Sequence, residues 1–147
     1  MKGTVDLAGS LLFFAILGIS VVFDLRSKTV PTYLIGSAFV PGLAATFLDF
    51  PRLEIGKLIF LCIMLGVWIL IPGIRKHIGG ADLFLSLAGG LVMTVSAFIR
   101  GLFLAGAVCF PFAIVLRQKN RQATLPFVPF MFIGFSCAEL IEVIICK

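Results

Sequence analysis

Apolar residues fill this sequence in runs long enough to cross a bilayer, separated by isolated charges, prolines and glycines. The runs fall near 7–23, 31–49, 55–74, 82–99, 101–116 and 127–145. A spanning helix needs about 20 mostly apolar residues, because at 1.5 Å per residue that length matches a hydrocarbon core of about 30 Å. With 61% hydrophobic and 13% charged residues in 147, and a mean hydropathy of +1.18, little sequence is left for a soluble module. The expected fold is all-α: one integral-membrane domain over 1–147, with about six transmembrane helices and short loops. Its weakest boundary lies between the fourth and fifth runs, where only Arg100-Gly101 interrupts the apolar stretch.

Several function classes drop out on composition. Lys2 before the first run gives it the look of a secretory signal, but no small-x-small cleavage site follows and further apolar runs do, so it is expected to stay as the first helix. The net charge of +5 comes from basic residues placed singly or in small groups between apolar runs. That pattern signals topology and anionic-lipid contact, not nucleic-acid binding. Cys62, Cys109, Cys137 and Cys146 form no CxxC pair, and His77 is the only histidine. Neither a metal site nor a disulfide framework is expected, and the thiols read as small buried hydrophobes. No cofactor is expected.

Orientation follows from the basic residues. Odd-numbered loops carry Arg26, Lys28, Arg75, Lys76, Arg117, Lys119 and Arg121, against Lys2, Arg52, Lys57, Arg100 and Lys147 on the other side. The bias favours odd loops in the cytoplasm. Asp24, ending the first helix, and Asp82, opening the fourth, then share the cytoplasmic face of the plasma membrane.

Three stretches carry candidate chemistry. In "VVFDLRSKTVPTYL" Asp24 stands at a helix end before Arg26, Lys28 and Pro31; alone it reads more readily as an interfacial acid paired with Arg26. In "HIGGADLFLSLAGG" Asp82 follows Gly79 and Gly80, which permit close backbone approach and unusual dihedrals. Alone, Asp82 reads equally as an acid complementing a helix dipole. In "LPFVPF" Pro126 and Pro129 remove amide donors and favour extended backbone, which at membrane depth needs cover from protein or a wet cavity. Together, two inner-face aspartates and a proline-punctuated segment suit an aspartyl protease, in which paired carboxylates share a proton, activate water and protonate the leaving group. An extended substrate beside the Pro126–Pro129 backbone would gain strand-like hydrogen bonds.

These stretches resemble the type IV prepilin peptidases and archaeal preflagellin peptidases, the GxGD-type membrane aspartyl proteases. "DLRSKTVPT" (24–32) is similar to the family's D-x-R-x-x-x-I/V-P-N, "GGADL" (79–83) to G-x-hydrophobic-D, and "PFVPF" (126–130) to P-F-x-P-F. Order and spacing match across nearly the whole chain. The resemblance implies that Asp24 and Asp82 are catalytic, that Gly79 and Gly80 shape the turn at the second aspartate, and that Pro126, Phe127, Pro129 and Phe130 border the cleft. Arg26 matches the basic residue near the first aspartate. The chain departs at Ala81 in place of the last glycine of the strict form, at Thr32 where asparagine is frequent, and at Phe84 where many members have lysine. With no CxxC pair, N-methyltransferase activity is not expected. The implied partner is a pilin-, pseudopilin- or archaellin-like membrane substrate, cleaved at the junction of a short basic leader and an apolar helix.

Two other classes fit parts of the sequence. A small ion- or proton-coupled transporter would use Glu139 and Glu142 on the last helix. Glu139 lies fourteen residues beyond Leu125, about 21 Å along a helix, so both glutamates are expected near the outer face as boundary acids. A non-enzymatic assembly subunit would explain the apolar helices but not the three spaced motifs.

Overall fold

The structure, a computed structural model, describes residues 2–48, 55–71, 79–119 and 125–145. Arg52, Arg75, Lys76, His77, Arg121, Cys146 and Lys147 lie outside them, and with them much of the charge pattern that orients the chain. The described residues are all-α, in six helices: α1 Lys2–Ser27, α2 Thr32–Leu48, α3 Ile55–Leu70, α4 Gly80–Val92, α5 Val95–Lys119 and α6 Val128–Ile145. Segments of three of them, Ala8–Ser27, Val95–Leu116 and Val128–Ile145, are long and apolar enough to cross a membrane. The other three are shorter apolar helices.

One boundary differs from the sequence expectation. The break between the fourth and fifth helices falls at Met93-Thr94, not at Arg100-Gly101. Thr94 Oγ1 accepts a hydrogen bond from the Ala97 amide at 3.2 Å, which caps α5 at its N-terminus. Arg100 and Gly101 are then ordinary helical positions. Arg100 Nε donates back to the Ser96 carbonyl at 3.2 Å. Gly101 instead serves packing: a Cβ on Gly134 of α6 would overlap the Gly101 carbonyl oxygen and the Ala105 backbone nitrogen. Close backbone approach through small residues is what holds apolar helices together when lipid removes the hydrophobic drive for their association.

Around this antiparallel α5–α6 pair the bundle closes on α4. Leu83, Leu85, Ser86, Leu87, Ala88, Gly89 and Gly90 of α4 are all buried, as befits a helix apolar on every side and enclosed by its neighbours. Helices α1, α2, α3, α5 and α6 all touch α4. The core joins Phe13 and Leu17 of α1 to Phe98 of α5 and to Met131 and Phe135 of α6. Phe98 and Phe135 rings lie 5.7 Å apart, and Phe13 and Phe135 6.5 Å. Outside, Ile55, Ile59 and Ile63 of α3, Phe103 and Phe110 of α5 and Ile144 of α6 are exposed. An apolar outer surface of this extent suits lipid as its solvent.

Candidate functional site

Three chain segments distant in sequence meet at one end of the bundle. Asp24 lies in the last turn of α1 and is buried, 7% exposed. The Val128 amide, at the start of α6, donates to Asp24 Oδ2 at 3.2 Å. This bond follows from the two prolines. Leu125, Pro126 and Phe127 are non-helical and α6 begins at Val128, so Pro129 occupies the first helical turn, where a missing N–H costs nothing. The Phe130 and Met131 amides donate to the Phe127 carbonyl at 3.0 and 3.1 Å. Among the first donors of α6, Val128 is therefore left for the carboxylate, and Asp24 caps a helix from another part of the chain.

Non-helical backbone here is shorter than the sequence suggested. It covers residues 125–127 and does not reach Pro129, because a proline pre-sets the helical φ as well as lacking a donor. Phe127 and Pro126 are half-buried in it, and Phe130 meets Phe112 of α5 with ring centroids 5.6 Å apart.

Asp82 reaches the same end from the first turn of α4 and lies close enough for Coulomb interaction with Asp24. Its carboxylate turns back to accept from the Gly79 backbone N–H, the reciprocal half of a capping box with a glycine at the N-cap. Gly79 has φ −61° and ψ 146°, and no glycine among the described residues has a positive φ. The expectation of unusual dihedrals at Gly79 and Gly80 is thus not met. Space is what Gly79 supplies: a Cβ there would stand 3.1 Å from Asp82 Oδ2, whereas one on Gly80 would meet nothing described within 4 Å. Ser86 fixes the next turn, donating to the Asp82 carbonyl at 2.7 Å.

Arg26 does not pair with Asp24. It is exposed, and among the described residues the one ion pair is elsewhere. Phe84 also turns away from the aspartates, packing against Phe39 of α2 and Trp68 of α3 with ring centroids 6.5 and 6.4 Å away. Cys109 of α5, by contrast, is close enough to feel the Asp82 charge. Sequence reasoning treated it as a plain hydrophobe; its only signal is a helical position reached through antiparallel pairing that no local pattern reveals. Two residues further on, Pro111, Phe112, Val115 and Leu116 form with Leu125 a wholly apolar cleft of ≈ 350 Å³.

Two further acids, Glu139 and Glu142, sit at the opposite end. Glu142 Oε2 pairs with Arg100 at 2.7 Å, and Glu142 Oε1 accepts from Thr94 Oγ1 at 3.0 Å. Ser96 Oγ lies 3.3 Å from both carboxylate oxygens. Glu139 is half-buried and near enough to repel Glu142. The described residues hold no cluster of three metal-ligating side chains. What they hold together is a pair of carboxylates with no cation between them, a backbone amide donor on each and an apolar cleft alongside. Compared with protein-family models, curated proteins and solved structures, the chain matches none.

Proposed function

We propose that this chain is a membrane aspartyl endopeptidase of the prepilin and preflagellin peptidase kind. Its six apolar helices cross the plasma membrane, and Asp24 and Asp82 act near the cytoplasmic face to remove a short basic leader from a pilin-, pseudopilin- or archaellin-like precursor. The observation that carries the reading is the meeting of Asp24, Asp82 and the Val128 amide at one end of the bundle. A structural acid in an apolar bundle is expected to take a cation or a full set of hydroxyls. Among the described residues these two take one backbone amide each and each other's charge.

In this mechanism the pair carries one proton, because two neighbouring carboxylates cannot both ionise cheaply. The ionised partner takes a proton from water as it attacks the scissile carbonyl. The protonated partner gives its proton to the carbonyl oxygen, and the proton gained from water passes to the leaving amine. The C–N bond breaks while one hydroxyl proton of the tetrahedral intermediate returns to the aspartate that protonated the carbonyl, and the carboxylic acid formed gives its remaining proton to solvent. No metal and no covalent intermediate enters. The non-helical backbone at 125–127 offers the substrate main-chain partners, and the Pro111–Leu125 cleft offers apolar cover beside them.

The test is cleavage by the purified full chain in detergent, with a substrate bearing a basic leader ahead of an apolar helix. Processing should persist in chelator and under serine-directed reagents. Because Cys109 lies near Asp82, a bulky thiol reagent should block it by obstruction, and Cys109→Ala should stay active and become resistant. Metal dependence, or loss of activity in a folded Cys109→Ala variant, would sink the proposal.

A further inference from the structure

The turn between α1 and α2 keeps a lysine where the backbone suits glycine. Lys28 has φ 54° and is the one non-glycine residue with positive φ among the described residues. In that region the β-carbon crowds the following carbonyl, a strain glycine avoids. Neighbouring side chains hold the turn shut over Lys28. Ser27 Oγ lies 2.9 Å from the Phe23 carbonyl and 3.0 Å from the Thr29 carbonyl, and Thr29 Oγ1 donates to Ser27 Oγ at 3.2 Å. Strained positions persist where surroundings over-determine them in this way.

The strained residue's side chain makes no polar contact among the described residues. Lys28 is exposed, as is Arg26, and neither side chain has a hydrogen-bond or ion-pair partner among the described residues. Nothing among the described residues explains why a cation is held there. Tyr33, at the start of α2, is 67% exposed, and tyrosine with an apolar body and polar tip favours the headgroup level of a bilayer. The turn also closes directly on the candidate site, since the Lys28 amide donates to the Asp24 carbonyl at 3.0 Å.

We propose that the α1–α2 turn is a contact site for the phosphate of an anionic membrane lipid, with Arg26 and Lys28 as its ligands. Arginine offers a fork to two phosphate oxygens, and lysine adds a compact second charge. The contact pins the turn to the headgroup layer, so that Asp24, one helical turn inside, is held about 6 Å deeper. The proposal needs the chain to lie in a membrane and is independent of any peptidase activity.

The full chain, with native cysteines replaced and a fluorophore on Thr32→Cys, is reconstituted in phosphatidylcholine vesicles containing a minority of phosphatidylglycerol. Quenching by a headgroup-proximal nitroxide on phosphatidylglycerol is compared with quenching by the same nitroxide on phosphatidylcholine. The parent should show enrichment of the anionic lipid, falling about fivefold for each cation removed in Arg26→Gln and Lys28→Gly. Lys28→Gly should also raise the thermal midpoint in neutral detergent, which separates released strain from lost charge. Enrichment unchanged in the double variant overturns the proposal. So does a midpoint lowered by Lys28→Gly, which would give the lysine a role inside the fold. Enrichment abolished by millimolar inorganic phosphate, at constant ionic strength, would mark a free-anion site and overturn the lipid assignment.

Discussion

The two ends of the bundle treat their carboxylates in opposite ways. At the Thr94 end, Glu142 is saturated by Arg100, Thr94 and Ser96, and these contacts tie the α4–α5 corner to the end of α6. At the Asp24 end, two carboxylates face each other with backbone amides and no cation among the described residues. An acid paired with arginine is fixed as an anion and can only hold structure. Neighbouring acids with no counter-ion among the described residues are the arrangement in which a proton can be shared. The contrast separates a clasp from a candidate for chemistry on one kind of side chain.

The strongest way to break the contrast is at Asp24 and Asp82. Asp24→Asn and Asp82→Asn should each abolish substrate processing, and the double variant should be little worse, since groups acting as one unit are not additive. In Asp24→Asn the new amide side chain still offers a carbonyl oxygen to the Val128 N–H, so α6 keeps its cap and the thermal midpoint should stay near that of the parent. Full activity in either folded variant would make the acids structural and leave the two ends alike.

A second variant pair sharpens the geometry. A Cβ on Gly79 would press on Asp82 Oδ2 from 3.1 Å, while one on Gly80 would meet nothing described within 4 Å. Gly79→Ala should therefore displace the carboxylate by a few tenths of an ångström and lower kcat about tenfold with KM little changed, given that a misplacement of ~1 Å can cost about 10²-fold. Gly80→Ala should remain within a few-fold. Equal losses at both positions would mean that backbone freedom, not space, is what the glycines provide.

How much of this was legible in the sequence depends on the range of each interaction. Six helical segments follow from apolar runs and punctuation, since helix formation in a nonpolar setting is decided locally by the need to satisfy every backbone group. The α4–α5 boundary was not legible. Arg100-Gly101 looks like a break, and only the partners show otherwise: Glu142 receives the charge and Gly134 needs the space. The same reason hid Cys109, whose place beside Asp82 depends on how α5 packs. Asp24, Asp82 and Pro126 to Phe130 could be picked out because acids and paired prolines are costly in apolar helices and stand out where they occur. Their contacts were less legible. Arg26 looked like the partner of Asp24, yet the Val128 amide, more than a hundred residues away, holds that place.

The smallest effects belong to the Glu142 end, and they test whether it is only a clasp. Arg100→Gln leaves Glu142 half-buried with hydroxyl partners alone, so it should lower stability. With the arginine side chain 39% exposed, solvent screening keeps the loss to about 1 kcal/mol, read from the denaturation midpoint. Processing should stay within a few-fold, because the clasp lies at the far end of α6 from Val128. Glu139→Gln should do less still. Its described electrostatic neighbour is the like-charged Glu142, so neutralising it removes repulsion, and the midpoint should hold or rise slightly. Cleavage should again stay within a few-fold. Loss of cleavage in a folded Glu139→Gln variant would place proton chemistry at this end, where an ion- or proton-coupled transporter would need it. The contrast between the two ends would then fail at the acid it treats as idle.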